Sequence, residues 1–283
     1  MRTQALLAIA LCACTHSISS SATNDGGGDD DSIDAAVPSD AASSPSDAGS
    51  AGCGLAYCED FDAYGSATLA DATTLGPWAV AVSAVTMTID SVHAYGGSGK
   101  SLHIKIPAFV NSHTGGTPTH GLLSQKASAG LVAGNDLYGR VMLYYSNTDG
   151  NELPLSVHSW FFEAAGTSTK LAAATSLNLG GGGAKLQLNY APGDVSVQGG
   201  TMTTGAWHCV QWQYDGAGAT PANVAKVWID GKVALNIPVG EGWNFATPWS
   251  SFSFGFTHYQ TLSNTVEIFL DDFALDGAMI ACP

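Results

Sequence analysis

Short segments of alternating apolar and polar residues recur from Thr86 to the C-terminus, separated by Gly, Asn, Asp or Pro. Neighbouring side chains of a strand point to opposite faces, so a period of two is typical of half-buried β-strands. No useful length of sequence has the apolar period of a helix. The pattern therefore predicts an all-β, two-sheet antiparallel sandwich, with Asp230-Gly231 as a hairpin turn. The predicted strands are 86–91, 101–106, 136–145, 157–164, 176–179, 185–190, 207–214, 224–229, 251–257 and 266–275.

Alternation also predicts which residues of a strand face the core. In the segment that begins at Leu137, the apolar side chains of Leu137, Val141 and Leu143 fall on one face. Arg140 and Tyr144 fall on the other face. We expect the first face to pack against the second sheet and the other face to point outward.

The first 52 residues have a different composition from the rest of the chain. Arg2, the apolar run 5–13 and the sequence Leu-Cys-Ala-Cys ending at Cys14 are typical of an export signal over residues 1–21. The same four residues resemble a bacterial lipobox, which predicts lipidation of Cys14; the alternative is ordinary cleavage and release. Residues 15–52 contain seven Asp but no aromatic residue, Lys or Arg, so we expect a disordered tether.

Residues 53–283 hold every Trp and form the predicted globular domain. This segment has 17 acidic and 8 basic residues, which gives a net charge of −9. Such a charge argues against nucleic acid and anionic membrane as partners. We expect a monomer that contacts a membrane only through its lipid anchor.

Four cysteines remain in this domain: Cys53, Cys58, Cys209 and Cys282. An even number in an exported protein favours disulfides over metal ligation. Three pairings are possible, and the favoured one joins Cys53 to Cys58 and Cys209 to Cys282.

Outward-facing rows that combine aromatic rings with hydrogen-bonding groups favour carbohydrate as the ligand. Rings cover the apolar faces of pyranoses, and amides or carboxylates pair with hydroxyls. The alternative is that several of these large side chains fill the core or a sheet edge. The predicted sugar-binding residues are His120, Trp160, Gln211, Gln213, Trp228, His258 and Tyr259.

Seven short motifs occur in a characteristic order through the domain. They are EDFD at 59–62, SGKSL at 98–102, LYGRV at 137–141, GAWHC at 205–209, VWIDG at 227–231, FGF at 254–256 and LDDF at 270–273. The set resembles the fungal cellulose-induced secreted proteins and their bacterial relatives. That family has a concanavalin A-like β-jelly-roll and is related to glucuronan and alginate lyases.

The resemblance implies a structural calcium ion between the first and last strands of the domain. By position, Asp62 and Asp272 would be side-chain ligands, with backbone carbonyls near Ser98 completing the oxygen shell. The alternative is that these acids only serve turns and sheet edges.

The resemblance also implies that polysaccharide is bound on the concave face of the jelly-roll. Binding without catalysis is the first hypothesis, for a protein at the outer membrane or cell surface, or otherwise secreted. The alternative is a lyase that cleaves a uronate polymer by β-elimination, with His158 or Tyr144 as base and Arg140 or Asn178 as carboxylate partner. Relatives carry His-x-Arg where this chain has Ser176 and Asn178, which weakens the lyase hypothesis. A surface lipoprotein without activity is a further alternative.

Overall fold

The computed structural model describes residues 53–108, 119–126, 131–132, 136–147, 159–166, 172–179, 184–190, 195–215, 225–237, 248–258, 262 and 264–283. All of them belong to one compact unit, Ser44–Pro283. The predicted export signal, Cys14 and the whole of the predicted tether therefore lie outside the described residues. No helix within the described ranges is long and apolar enough to cross a membrane.

Nearly all the regular secondary structure of the described chain consists of β-strands. In chain order these are β1 Tyr57–Glu59, β2 Thr74–Leu75, β3 Trp78–Ser83, β4 Thr86–Asp90, β5 Ser101–Ile106, β6 Thr119–Lys126, β7 Asp136–Asn147, β8 Ser159–Gly166, β9 Ala172–Leu179, β10 Ala184–Tyr190, β11 Val195–Met202, β12 Trp207–Asp215, β13 Ala225–Ile229, β14 Lys232–Ile237, β15 Trp249–His258 and β16 Val266–Asp276. A 3-10 turn covers Tyr95–Gly97.

The strands form two antiparallel sheets. Sheet I has the order β14-β13-β12-β7-β16-β5-β4, with β1 also paired to β16. Sheet II has the order β11-β10-β9-β8-β15-β6-β3-β2. The all-β antiparallel sandwich is confirmed, and each of the ten predicted strands overlaps an observed one. Strands β1, β2, β3, β6, β11 and β14 were not predicted.

The core lies between the two sheets and is rich in aromatic rings. Leu137, Val141 and Leu143 of β7 are buried in it, as their alternation predicts. From β15, Phe254 stacks on Phe273 of β16 with ring centroids 3.8 Å apart. Because these two strands belong to different sheets, the stacked pair joins the layers at the centre of the sandwich.

The predicted hairpin and disulfides are also present. Asp230 and Gly231 have φ of 49° and 74° between β13 and β14, as a two-residue turn with two left-handed positions requires. The disulfides join Cys53 to Cys58 and Cys209 to Cys282. The second one fastens the C-terminal segment, residues 277–283, to β12 on the outer side of sheet I.

Candidate functional site

The outer face of sheet II carries a row of polar and aromatic residues across four neighbouring strands. We call this the aromatic row: Trp160 of β8, Thr257 of β15, His120 of β6 and Ser83 of β3 are successive cross-strand partners. Leu123, three residues from His120, is fully buried in the core, so alternation along β6 places His120 outward. Two strand spacings of about 4.8 Å separate the backbones of Trp160 and His120 by about 10 Å.

A second row lies beside the first on the same face. Here Ser253 of β15 pairs with Glu163 of β8 on one side and with Ser124 of β6 on the other. We call this the carboxylate row. Ser253 and Thr257 are four positions apart on β15, which is about 13 Å along the strand. A cavity of about 130 Å³ opens at the carboxylate row, and its lining residues are Ser124, Gln125, Glu163, Ala165, Ser251, Phe252 and Ser253.

Between the two rows, the backbone of β15 comes unusually close to β6. Gly255 has a φ of 136°, a conformation that favours glycine, and a Cβ there would collide with the carbonyl oxygen of Gly121. The pairing of β15 with β8 also shifts register between Phe254 and Thr257, which is a β-bulge. The bulge offsets the two rows relative to each other without breaking the pairing to β6.

Glu163 is the charged group at this cavity. Its neighbours along β8, Phe162 and Ala164, are fully buried in the core, so its own carboxylate points to the outer face. Burial raises the pKa of the Glu163 carboxyl above its ordinary value, and this desolvation acts alone. Within the described ranges, Glu163 has neither a hydrogen-bond donor nor a cationic partner.

The structure brings together two of the predicted sugar-binding residues, His120 and Trp160. His258 follows Thr257 on β15 but is fully buried instead of lying on the outer face. His158 and Tyr259 lie outside the described residues. The backbone of Asn178 is part of β9 in sheet II, and its side chain is not among those described.

The other predicted site residues lie on sheet I, away from the aromatic row. Arg140 donates from Nη1 to the carbonyl of Ala281 at 2.9 Å, and Gln211 donates to the carbonyl of Ile280 at 2.6 Å. These bonds hold the C-terminal segment, so both side chains are occupied by the protein's own backbone.

The remaining sheet I candidates also contact their own sheet. Gln213 donates to the carboxylate of Asp215 at 2.8 Å. Tyr144 packs against Trp207 with ring centroids 5.6 Å apart. Trp228 on β13 pairs with Gln211 of β12, also in sheet I. The structure thus does not bring Arg140, Tyr144, Gln211, Gln213 or Trp228 to the face that carries His120 and Trp160.

Sequence reasoning missed Thr257 and the serines of the carboxylate row. Ser251, Ser253 and Thr257 are at odd positions of β15, alternating with buried Phe residues, so period two alone could have placed them on one outward face. Their alignment with Glu163 depends on the register between β15 and β8, which no local pattern shows.

The two ends of the domain meet where β1 pairs with β16, and several carboxylates gather there. Burial raises the pKa of Asp60, and the charges of Asp62, Glu59 and Asp272 raise it further. The carboxylate of Asp62 accepts from the backbone N–H of Lys100 at 2.6 Å. A Cβ on Gly99 would lie 2.5 Å from Asp62 Oδ1, so the turn that contains Ser98 packs closely against Asp62.

The carboxylates gathered here offer oxygen atoms, the ligand type that calcium prefers. Among the residues that the structure describes, no group of three or more His, Cys, Asp and Glu side chains is arranged to hold a metal ion. A cation at this position would therefore depend on backbone carbonyls in addition to Asp62 and Asp272.

No protein-family model and no curated protein matches the sequence. Among solved structures, the fold is similar to a cellulose-induced protein, Cip1, with a TM-score of 0.53 and 16% identity over 80% of this chain and 99% of that one. It is also similar to an endo-β-1,4-glucuronan lyase from the fungus Trichoderma reesei, with a TM-score of 0.53 and 13% identity over 78% of this chain and 94% of that one. At these identities the likeness concerns the fold: the chain is a two-sheet β-jelly-roll of the type found in these two proteins.

Proposed function

We propose that this chain is an exported polysaccharide-binding protein whose ligand lies across the outer face of sheet II. The observation that carries the proposal is the alignment of the partly exposed Trp160 and His120 on either side of the buried Thr257, beside a polar cavity on the same face. An indole ring can cover the apolar face of a pyranose, while an imidazole bonds its hydroxyls.

Two further observations support this proposal. The two structural neighbours named above are, by their names, a cellulose-induced protein and a polysaccharide lyase. The two disulfides are typical of an oxidising, extracytoplasmic compartment. We further propose that lipidation at Cys14 anchors the protein at the outer membrane or cell surface.

Binding is favoured over β-elimination of a uronate polymer by the charges on this face. A lyase must neutralise the uronate carboxylate so that the adjacent proton becomes acidic. The charged side chain that the structure describes at this cavity is the carboxylate of Glu163, and Arg140 is bonded to backbone on the other sheet. His158 and Asn178 stay untested predictions of that alternative.

The proposal is tested by removing the indole. Electrophoresis of the chain through gels that contain neutral, uronate or amino-sugar polymers should show retardation by at least one polymer. We expect Trp160→Ala to weaken this retardation about tenfold, as for an aromatic hot spot, because the ring loses its stacking partner. The matched control is Trp228→Ala, which removes the same ring from sheet I and should leave retardation unchanged.

Two results would contradict the proposal: no retardation by any polymer, or equal loss from both tryptophan variants. Ultraviolet absorbance during incubation with the same polymers monitors the alternative, since β-elimination creates an unsaturated product that absorbs there. We expect no rise in absorbance.

We also propose that calcium joins the ends of the domain through Asp62, Asp272 and carbonyls of the turn at Ser98. An ion bound only to the folded state stabilises it, so chelation should lower the melting temperature. The variant Asp272→Asn should make the melting temperature insensitive to chelator. Asp276→Asn removes a carboxylate that caps Gly277 on the same strand and should keep the sensitivity. An unchanged melting temperature of the parent chain in chelator would refute calcium binding here.

A further inference from the structure

The carboxylate of Glu163 differs from the other glutamates that the structure describes. Glu59 accepts hydrogen bonds from the backbone N–H of Phe61 and the indole of Trp78. Glu267 pairs with the ammonium of Lys105 at 2.8 Å. Glu163, by contrast, is partly exposed, lines the cavity on sheet II, and has no donor or cation among the described residues. Its carboxylate is therefore available, at a cavity, to a ligand that carries hydrogen-bond donors.

The surroundings of Glu163 are rich in hydroxyl groups. Ser124, Ser251 and Ser253 line the same cavity, on strands β6 and β15 next to β8. Ser124 donates its hydroxyl proton to the carbonyl of Ala79, and its oxygen keeps lone pairs that can accept. The cavity thus offers one carboxylate and several hydroxyl acceptors within a small volume.

From this arrangement we infer that the Glu163 cavity binds a primary ammonium group, so that the polysaccharide on sheet II carries free amino sugars. This inference rests on the proposed polysaccharide-binding function and names the chemical class of its ligand. An ammonium has three donors, of which one can bond the carboxylate and two can bond serine hydroxyls. The charge-assisted bond to Glu163 is about twice as strong as one from a neutral hydroxyl.

The size of the cavity determines which part of the polymer can enter it. The cavity volume of about 130 Å³ is well above the ~15 Å³ that one water molecule needs, but smaller than the roughly 300 Å³ of a pocket that encloses a whole small-molecule ligand. That space accommodates an amino substituent and its nearest atoms, while the sugar rings lie across the open face towards Trp160. The polymer therefore spans both rows, with its ring stacked at the aromatic row and an ammonium at the carboxylate row.

The same site disfavours a uronate polymer. A uronate carboxylate at the cavity would meet a like charge in a partly desolvated setting, which is repulsive. Residues 53–283 also carry a net charge of −9, which attracts polycations and repels polyanions over the whole domain.

The test compares matched oligosaccharides by titration calorimetry at physiological salt. The ligands are a β-1,4-linked glucosamine oligomer, its N-acetylated form, a neutral β-1,4-glucan and a β-1,4-glucuronan of equal length. We expect the glucosamine oligomer to bind at least tenfold more tightly than its N-acetylated form, as loss of a hydrogen bond to a charged group predicts. Glu163→Gln keeps the shape of the side chain and should abolish this preference.

Because an acidic protein attracts cations in general, the control removes the same unit charge elsewhere. Glu267→Gln neutralises a carboxylate on sheet I and should keep the tenfold preference. Equal binding of the N-acetylated or uronate oligomer by the parent chain, or an unchanged preference in Glu163→Gln, would overturn the inference while leaving polysaccharide binding intact. If no oligomer binds, the proposed function itself fails, and the inference with it.

Discussion

The two disulfides close loops of very different length, which predicts different contributions to stability. Cys209 and Cys282 are 73 residues apart, whereas Cys53 and Cys58 are 5 apart. If a disulfide acts mainly by restricting the unfolded chain, the long loop contributes about 4.4 kcal/mol and the short one roughly 2 kcal/mol. We therefore expect the double variant Cys209→Ser/Cys282→Ser to lose about 2 kcal/mol more than Cys53→Ser/Cys58→Ser.

The measurement is equilibrium unfolding in urea of the parent chain and both double variants under non-reducing conditions. The free energies of unfolding should differ in the predicted order, and excess reductant should bring all three chains to one value. The bonds from Arg140 and Gln211 to residues 280–281 should hold the C-terminal segment in the folded variant, so that the loss reflects the unfolded state. Equal losses from both double variants would refute the chain-entropy argument.

Three other substitutions separate structural from functional charges. Glu59→Gln should lower the free energy of unfolding by about 2–4 kcal/mol, measured in urea, because an amide cannot accept from all the donors that the carboxylate serves, among them Trp78 Nε1. Arg140→Gln should lower the melting temperature but leave polymer retardation unchanged, since its partners are the carbonyls of Asp272 and Ala281. Folding raises the pKa of Glu163, so its contribution to stability is present below its unfolded pKa and lost as pH rises through the folded pKa. The melting temperature of Glu163→Gln should therefore exceed that of the parent at about pH 8, and this difference should disappear at about pH 4.

The strands that sequence reasoning identified are those with clear alternation. Leu137, Val141 and Leu143 are recognisable because one face of β7 is entirely apolar and the other is not. Strand β11 was not predicted because Gly199 and Gly200 interrupt its alternation of apolar and polar residues. Both glycines lie against the backbone or side chain of Ala234, where a Cβ would collide or crowd. That requirement comes from a neighbouring strand and leaves no periodic signal.

Assigning residues to a site was harder than assigning them to strands. Arg140 and Gln211 have the chemistry expected at a sugar site and do point away from the core of the sandwich. Their positions were predicted correctly from alternation, but the C-terminal segment covers them and takes their hydrogen bonds. The C-terminal segment folds back over sheet I, where the Cys209–Cys282 disulfide holds it. Such a contact joins residues far apart in sequence, so the alternation within a single strand does not predict it.

A comparison of the buried Glu59 with the partly exposed Glu163 indicates which carboxylate the stability of the fold does not need. Glu59 lies where β1 meets β16 and is satisfied by three protein donors, so its burial stabilises the fold. Glu163 is partly buried and has no such donors in the described structure, so replacing it should stabilise the protein above its pKa. A side chain that lowers stability is expected to persist where a ligand supplies the missing partner. The carboxylate at the cavity of sheet II is therefore better explained by binding than by folding, and the two effects of Glu163→Gln, higher stability and lost ligand preference, should appear together in one variant.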